Sequence, residues 1–279
     1  MKFCIIMPVY NEEAHLKQVL DSYTRQQLQP DQLIIIDDNS TDQSLALATQ
    51  YCQNNSFAKL YSFGSSDQRL PGPKVIAAFN FGLSKINLED FDFIGKFDAD
   101  ILLPENYFEF LIPQFKQNPK LGIASGILHV LKNDAWEYES ISKKSKVRGP
   151  VKLYRKACFN QIDGLSASMG WDTADVFLAQ FYGWETQTFT QLIAKHLRPT
   201  GHGYRSQDAK KQGETFYFIG YSFPIAALAA FKLALKKRNL WFAFKSLKSY
   251  AAKRAKSEAR IVSNEQAKFI NKKRWQDMF

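Results

Sequence analysis

The chain of 279 residues predicts an α/β fold with a Rossmann-like, mostly parallel sheet, and three observations carry that prediction. Short apolar runs alternate with amphipathic helical patterns over the first hundred residues. Acidic clusters stand directly after three of those runs, and the basic excess is confined to the C-terminal end. Composition removes other classes. With 45% hydrophobic and 14% aromatic residues there is ample material for a continuous core, which an unfolded chain lacks. Cys4, Cys52 and Cys158 are odd in number and far apart, so neither a disulfide framework nor a zinc knuckle is expected, and a reducing compartment fits. The opening MKFCIIMPVYNEE meets Pro8 and then acids after a few apolar residues, so no secretory leader is expected.

Residues 3–7, 33–36, 60–63 and 93–97 are short apolar runs, the pattern of strands buried on both faces. Leu16, Val19, Leu20 and Tyr23 recur at helical spacing after the first run. Leu45, Ala48, Tyr51 and Cys52 do so after the second, where Ser40 and Gln43 match a capping box. Ile76, Ala77, Asn80 and Leu83 mark a third helix, entered through turn-rich residues 65–73. In such a βαβαβαβ order, ligands bind beyond the carboxyl ends of the strands.

A charged, turn-rich stretch, 132–148, suggests a boundary, so the chain divides into 1–131, 132–215 and 216–279. Residues 216–231 are apolar but interrupted by Gly220 and Pro224, and short for a membrane span. Leu240, Phe244, Leu247 and Ala251 then share one helical face with Trp241 beside them, as in an interfacial amphipathic helix. From Lys232 onward, 14 Lys and Arg stand against 3 Asp and Glu, a balance of +11, while the remainder carries 23 against 24, or −1. The last segment therefore reads as a helical attachment device. An anionic membrane surface suits it better than nucleic acid, because its aromatics cluster with leucines on one apolar face.

The carboxylates are the most informative feature. Strand one runs into Pro8-Val9-Tyr10-Asn11-Glu12-Glu13, strand two into Asp37-Asp38-Asn39-Ser40-Thr41-Asp42, and strand four into Asp98-Ala99-Asp100. Three acidic clusters thus converge on one sheet edge, an arrangement tolerated when a cation or hydrogen-bond donors complete the site.

PVYNEE, IIIDDNSTD, the Asn80-Phe81-Gly82-Leu83 helix and KFDAD, in this order and spacing, resemble the family 2 glycosyltransferases of GT-A fold. The resemblance is dense over the first half and reaches Asp172 more thinly. It implies that 1–131 binds a nucleotide sugar and 132–215 supplies the acceptor side and the base, with 216–279 associating with a membrane. Pro8, Tyr10 and Glu12 would line the nucleotide pocket, Asp38 would accept a hydrogen bond from the base, and Asp98 would face the ribose. Asp100 would hold Mg²⁺ or Mn²⁺ on the diphosphate. Lys74 either approaches a phosphate or is a surface lysine.

In the second half, Arg148 to Arg155 and Ile162-Asp163-Gly164-Leu165 look like the strand and turn before the catalytic acid. In Gly170-Trp171-Asp172-Thr173-Ala174-Asp175, Trp171 stands where the family usually has Glu. Asp172 then aligns as the general base with Asp175 as runner-up; the alternative is that Asp172 only caps the following helix. His202, in Gly201-His202-Gly203-Tyr204-Arg205, either contacts phosphate or is a solvated loop residue, the second reading being favoured.

The resemblance implies an inverting transfer from a nucleoside-diphosphate sugar to a saccharide or lipid-linked acceptor, in envelope polysaccharide or glycolipid assembly at the cytoplasmic face of the membrane. No nucleic-acid partner is expected. The Gln-x-x-Arg-Trp motif of processive synthases is absent, Asn271 standing in the Gln position before Arg274-Trp275, so one sugar per encounter is expected. Two competing readings are a sugar-1-phosphate nucleotidyltransferase, which would need glycines after strand one, and a non-enzymatic membrane- or nucleic-acid-binding protein on a degenerate transferase fold.

Overall fold

The computed structural model describes residues 1–64, 72–198 and 208–277. The first half runs β1 (Phe3–Val9), α1 (Glu13–Thr24), β2 (Gln32–Asp37), α2 (Ser44–Asn54), β3 (Ala58–Ser62), α3 (Pro73–Leu83), β4 (Phe93–Phe97), β5 (Ile101–Leu102) and α4 (Tyr107–Gln117). The second half continues with β6 (Leu121–Lys132), β7 (Ala135–Tyr138), β8 (Val151–Arg155), α5 (Lys156–Gln161), α6 (Trp171–Phe181) and β9 (Glu185–His196). Helices α7 (Asp208–Phe218), α8 (Phe223–Lys236), α9 (Leu240–Ala255) and α10 (Asn264–Gln276) complete it.

The described strands form one sheet in the order β3-β2-β1-β4-β8-β6-β9-β5, with β7 paired to β6. "Mostly parallel" describes only one half of it. β3, β2, β1 and β4 are mutually parallel, whereas β8 joins β4 and β6 antiparallel, and β6 then pairs β9 in parallel. Parallel neighbours need a helical crossover, which the first half supplies. β6 and β7 instead meet through Asn133 and Asp134, both at positive φ, a two-residue hairpin turn that matches strand twist. The 131/132 division falls at this hairpin, and the sheet continues on both sides of it.

Alternate side chains of the first strands enter two cores. Phe3, Ile5, Met7, Leu33 and Ile35 pack with α1, α2 and α4, whereas Cys4, Ile6, Ile34 and Ile36 pack with α3 and the later helices. Each strand is thus buried on both faces, which is why its sequence is continuously apolar. Helix faces shift slightly from expectation. α2 buries Ser44, Ala48 and Tyr51 while Leu45 is exposed, and α3 buries Ile76, Ala78, Phe79 and Gly82.

The C-terminal segment is helical, but it is not an appendage. Ile225, Ala226, Ala230, Phe242, Ala243, Tyr250 and Ile270 are buried in the same core cluster as Ile6, Tyr154 and Phe177. Tyr250 donates to the Tyr221 carbonyl at 2.8 Å. Asn271 ties α10 to the α7–α8 turn, accepting from Ser222 N at 2.7 Å and donating to Gly220 O at 2.8 Å. On α9 the buried face is Phe242, Ala243, Ser246 and Tyr250, so of the face read from Leu240, Phe244, Leu247 and Ala251 only Leu247 packs against the core, half-buried, and the rest points outward. Among the described residues no helix is long and apolar enough to cross a membrane.

α7 and α9 approach so closely that only glycine fits at one point: a methyl on Gly213 would lie 1.9 Å from the Ser246 carbonyl oxygen. Gly213→Ala is expected to destabilise by about 1–3 kcal/mol through overpacking. Thermal unfolding checks this; an unchanged Tm would mean that the two helices are not packed as described.

Candidate functional site

The loops after β1 and β2 are laced together. Asn11 and Asn39 take left-handed backbone, the conformation asparagine tolerates best after glycine. Asn11 N donates to Ser40 Oγ at 3.1 Å, and Thr41 N donates to Asn11 Oδ1 at 2.8 Å. Ser40 therefore braces the neighbouring loop and does not cap α2. The helix starts cap each other instead. Asp42 accepts from Ser44 N at 2.9 Å and from Glu13 N at 3.1 Å, Glu13 accepts from Gln43 N at 3.0 Å, and Ser44 Oγ accepts from Glu12 N at 2.8 Å.

Behind this brace lies a cavity of about 200 Å³ lined by Pro8, Val9, Tyr10, Glu12, Asp38, Lys74, Val75, Asp98, Ala99 and Asp100. All six residues expected to bind nucleotide or metal therefore meet in one place. A larger cleft, about 730 Å³ among the C-terminal helices, has no acid in its lining. Chemistry rather than size marks the site.

Each acid at the site faces a cation. Arg198 donates to both oxygens of Glu12, at 2.9 and 2.8 Å, a bidentate pair. Lys74 stands 3.5 Å from Asp38 Oδ2 and 4.3 Å from the Tyr10 ring centroid, and its side chain is buried, so it is no surface lysine. Asp98 takes the ammonium of buried Lys96. His196 Nε2 lies 3.5 Å from Asp100, and its Nδ1 lies 3.1 Å from Glu139, which also meets Arg148 at 3.0 Å. Burial works against the imidazolium, but hydrogen bonds and charge from Asp100 and Glu139 outweigh it and push His196 up to about 9.

A second cluster sits under α6. Lys96 and Lys152 are opposite one another across β4 and β8, and the Trp171 ring lies 5.1 and 5.3 Å from their ammonium groups. Like charges placed opposite repel; here each lysine takes a carboxylate and the ring face adds cation–π attraction. Lys152 donates to both oxygens of Asp175 and to the Asp172 carbonyl, all at 2.7 Å, and Tyr154 donates to Asp175 at 2.5 Å. Burial pulls the Lys152 ammonium below its ordinary range, opposed by Asp175 and Asp172, and pushes the Tyr154 phenol well up. Asp175 is thus saturated and buried. Asp172, at the helix entrance and partly exposed, has a carboxylate without a hydrogen-bond partner among the described residues. Neither Asp172 nor Asp175 lines the acidic cavity itself; Trp171 links the two clusters through Lys96.

The donor set fits a hard divalent ion. Asp100 Oδ1 and Asp38 Oδ1 are buried without a hydrogen-bond partner. Among the described residues no three His, Cys, Asp or Glu side chains form a metal cage. Mg²⁺ and Mn²⁺ sites of this kind take one or two carboxylates and complete their shell with substrate phosphate and water.

His196, Glu139 and Arg198 were not among the residues read from the sequence, and Arg148 was read only as part of a strand-and-turn stretch. His196 and Arg198 are remote from the acids they meet, Arg198 by 186 positions from Glu12. The available signal was the alternation along residues 185–196, which marks a strand ending in a polar residue. The stretch around His202 lies outside the described residues.

Fold and site together define an α/β protein with an acidic cavity at the carboxyl ends of parallel strands. The profile of glycosyl transferase family 2 matches residues 4–169. The chain belongs to that family, and its fold is GT-A. It is 32% identical over 125 residues to "Minor teichoic acid biosynthesis protein GgaA" of Bacillus subtilis (strain 168), which covers 44% of this chain and only 26% of that protein's length. Among solved structures, it resembles mannosyltransferase PcManGT from Pyrobaculum calidifontis in complex with GDP-Man and Mn²⁺, with TM-score 0.62 at 16% identity, covering 100% of this chain and 81% of that one. It also resembles Staphylococcus aureus TarS 1-349 in complex with UDP-GlcNAc, with TM-score 0.60 at 17% identity, covering 84% and 67%. At these identities the structural likeness is one of fold.

The buried pair under α6 yields a test. Lys152→Met strands Asp175 in the interior and should cost about 3–5 kcal/mol, whereas Lys152→Met with Asp175→Leu should recover much of that loss. Chemical denaturation of the two variants checks it; a single variant as stable as wild type would contradict the buried pairing.

Proposed function

We propose that this chain is an inverting, metal-assisted glycosyltransferase that moves a sugar from a nucleoside-diphosphate sugar to a hydroxyl of a saccharide or lipid-linked acceptor. The observation that carries the reading is the meeting of Pro8, Tyr10, Glu12, Asp38, Asp98 and Asp100 in one cavity at the strand ends. The setting is envelope polysaccharide or glycolipid assembly at the cytoplasmic face of the membrane. Supporting it are the teichoic-acid relative and the two structural neighbours, which are complexes with UDP-GlcNAc and with GDP-Man and Mn²⁺.

In this reading Pro8, Tyr10 and Glu12 enclose the nucleotide, Asp38 accepts from the base and Asp98 faces the ribose. Lys74, buried beside Tyr10 and Asp38, offers an ammonium to a donor phosphate. Asp100 would hold Mg²⁺ or Mn²⁺, which when bound offsets the charge of the leaving diphosphate. Asp172 takes the acceptor proton as that oxygen attacks the anomeric carbon from the face opposite the diphosphate. The hydrogen bonds that hold both Asp175 oxygens argue for Asp172 over its neighbour, and Lys152, bound to the Asp172 carbonyl, fixes the base's backbone.

Asp172→Asn keeps shape and loses the proton acceptor, so turnover should fall by about 10² or more with nucleotide affinity nearly unchanged. Steady-state kinetics with a panel of UDP- and GDP-sugars checks this, and near-normal turnover would remove Asp172 from the role. Asp100→Ala should abolish Mn²⁺-dependent nucleotide binding, read by thermal shift, without lowering the Tm of the unliganded protein. Nucleotide binding undiminished by excess EDTA would contradict the metal assignment.

A further inference from the structure

The elbow between α8 and α9 exposes a cluster of large apolar side chains. Phe231 is 52% exposed, Leu235 70%, Leu240 68%, Trp241 68% and Phe244 59%. These are not loosely placed residues. The opposite faces of both helices are buried, through Ala226, Ala230 and Ala234 on α8 and through Phe242, Ala243 and Tyr250 on α9. Leu228, Phe231 and Leu235 form one stripe along α8, and the turn is tight, with Arg238 at positive φ and Asn239 N donating to Ala234 O at 2.9 Å. The exposed ends of the two helices are therefore held side by side.

The same elbow carries Lys232, Lys236, Lys237, Arg238, Lys245 and Lys248, and no Asp or Glu occurs between Glu214 and Glu258. We propose that this elbow is a monotopic docking surface for an anionic lipid bilayer, with Leu235, Leu240, Trp241 and Phe244 entering the headgroup boundary and the surrounding lysines on anionic headgroups. Exposed apolar side chains ringed by cations are the composition that interfacial binding requires. A second copy of the chain is disfavoured as occupant, because a twofold contact would set this basic ring against itself.

Docking here deepens the transferase reading by placing the acceptor side at the bilayer. Lys236 Nζ donates to the Ser140 carbonyl at 3.4 Å, and the adjacent Glu139 holds His196 beside Asp100. The elbow is thus joined through one loop to the acidic cavity, so a bilayer seated on it adjoins the loop from which a lipid-linked acceptor would be reached.

The test is flotation of the full chain with vesicles of phosphatidylcholine alone and of phosphatidylcholine mixed with phosphatidylglycerol. Wild type should float with the mixed vesicles and far less with phosphatidylcholine alone, and high salt should release it only in part, since apolar insertion is unscreened. Trp241→Ser with Phe244→Ser should lower partitioning by about tenfold or more, and so should Lys232→Gln, Lys245→Gln and Lys248→Gln together, both with unchanged Tm because these positions face solvent. Wild type that stays with the soluble fraction, variants that float like wild type, or a lipid-free dimer dissolved by the Trp241/Phe244 change would each overturn the proposal. Mn²⁺-dependent nucleotide binding on the same samples separates the two readings. Its absence with flotation intact defeats the transferase reading alone, and flotation lost with nucleotide binding intact defeats docking alone.

Discussion

Mutual repulsion among carboxylates gathered at one sheet edge is the constraint around which the sheet is organised. Glu12, Asp38, Asp98 and Asp100 line one small cavity, where water cannot screen them as it would on an open surface. The structure answers with a cation for each: Arg198, Lys74, Lys96 and His196. Two of these come from the end of β9. That strand reaches the site because His196 pairs in register with Ile101 and Leu197 N donates to Asp100 O at 2.9 Å. The mixed second half of the sheet is thus what delivers positive charge to the acids of the parallel first half.

The same logic governs the floor of the site. Two buried lysines side by side would be intolerable alone, and Asp98, Asp175 and the Trp171 ring make them tolerable. Trp171 meets this positive charge with a π face. One consequence is that Asp172 and Asp175, three residues apart, have opposite fates. The first faces solvent at the helix entrance; the second is consumed by structure.

α8 and α9 show a different compromise. Both are apolar on two sides, one side holding the core and the other facing outward. A segment that looked like a detachable tail therefore serves as protein interior and exposed apolar surface at once. Removing it would open the core shared with α6 and the central strands.

What the sequence by itself determined is everything carried by short-range pattern. β1, β2 and β4 were legible because burial on both faces forces mostly apolar runs, edge strand β3 less so, and the acid clusters because they follow those runs directly. Asp38, Asp98 and Asp100 could be assigned to one edge from strand order alone. The tertiary structure decided whatever depends on partners distant in the chain: the antiparallel insertion of β8, the pairing of β6 with β9, and the return of His196 and Arg198 to Asp100 and Glu12. It also decided which face of α9 is inside. Leu240 and Phe244 make as good an apolar face as Phe242 and Tyr250, and periodicity alone cannot choose between them; packing against α7 and α8 does.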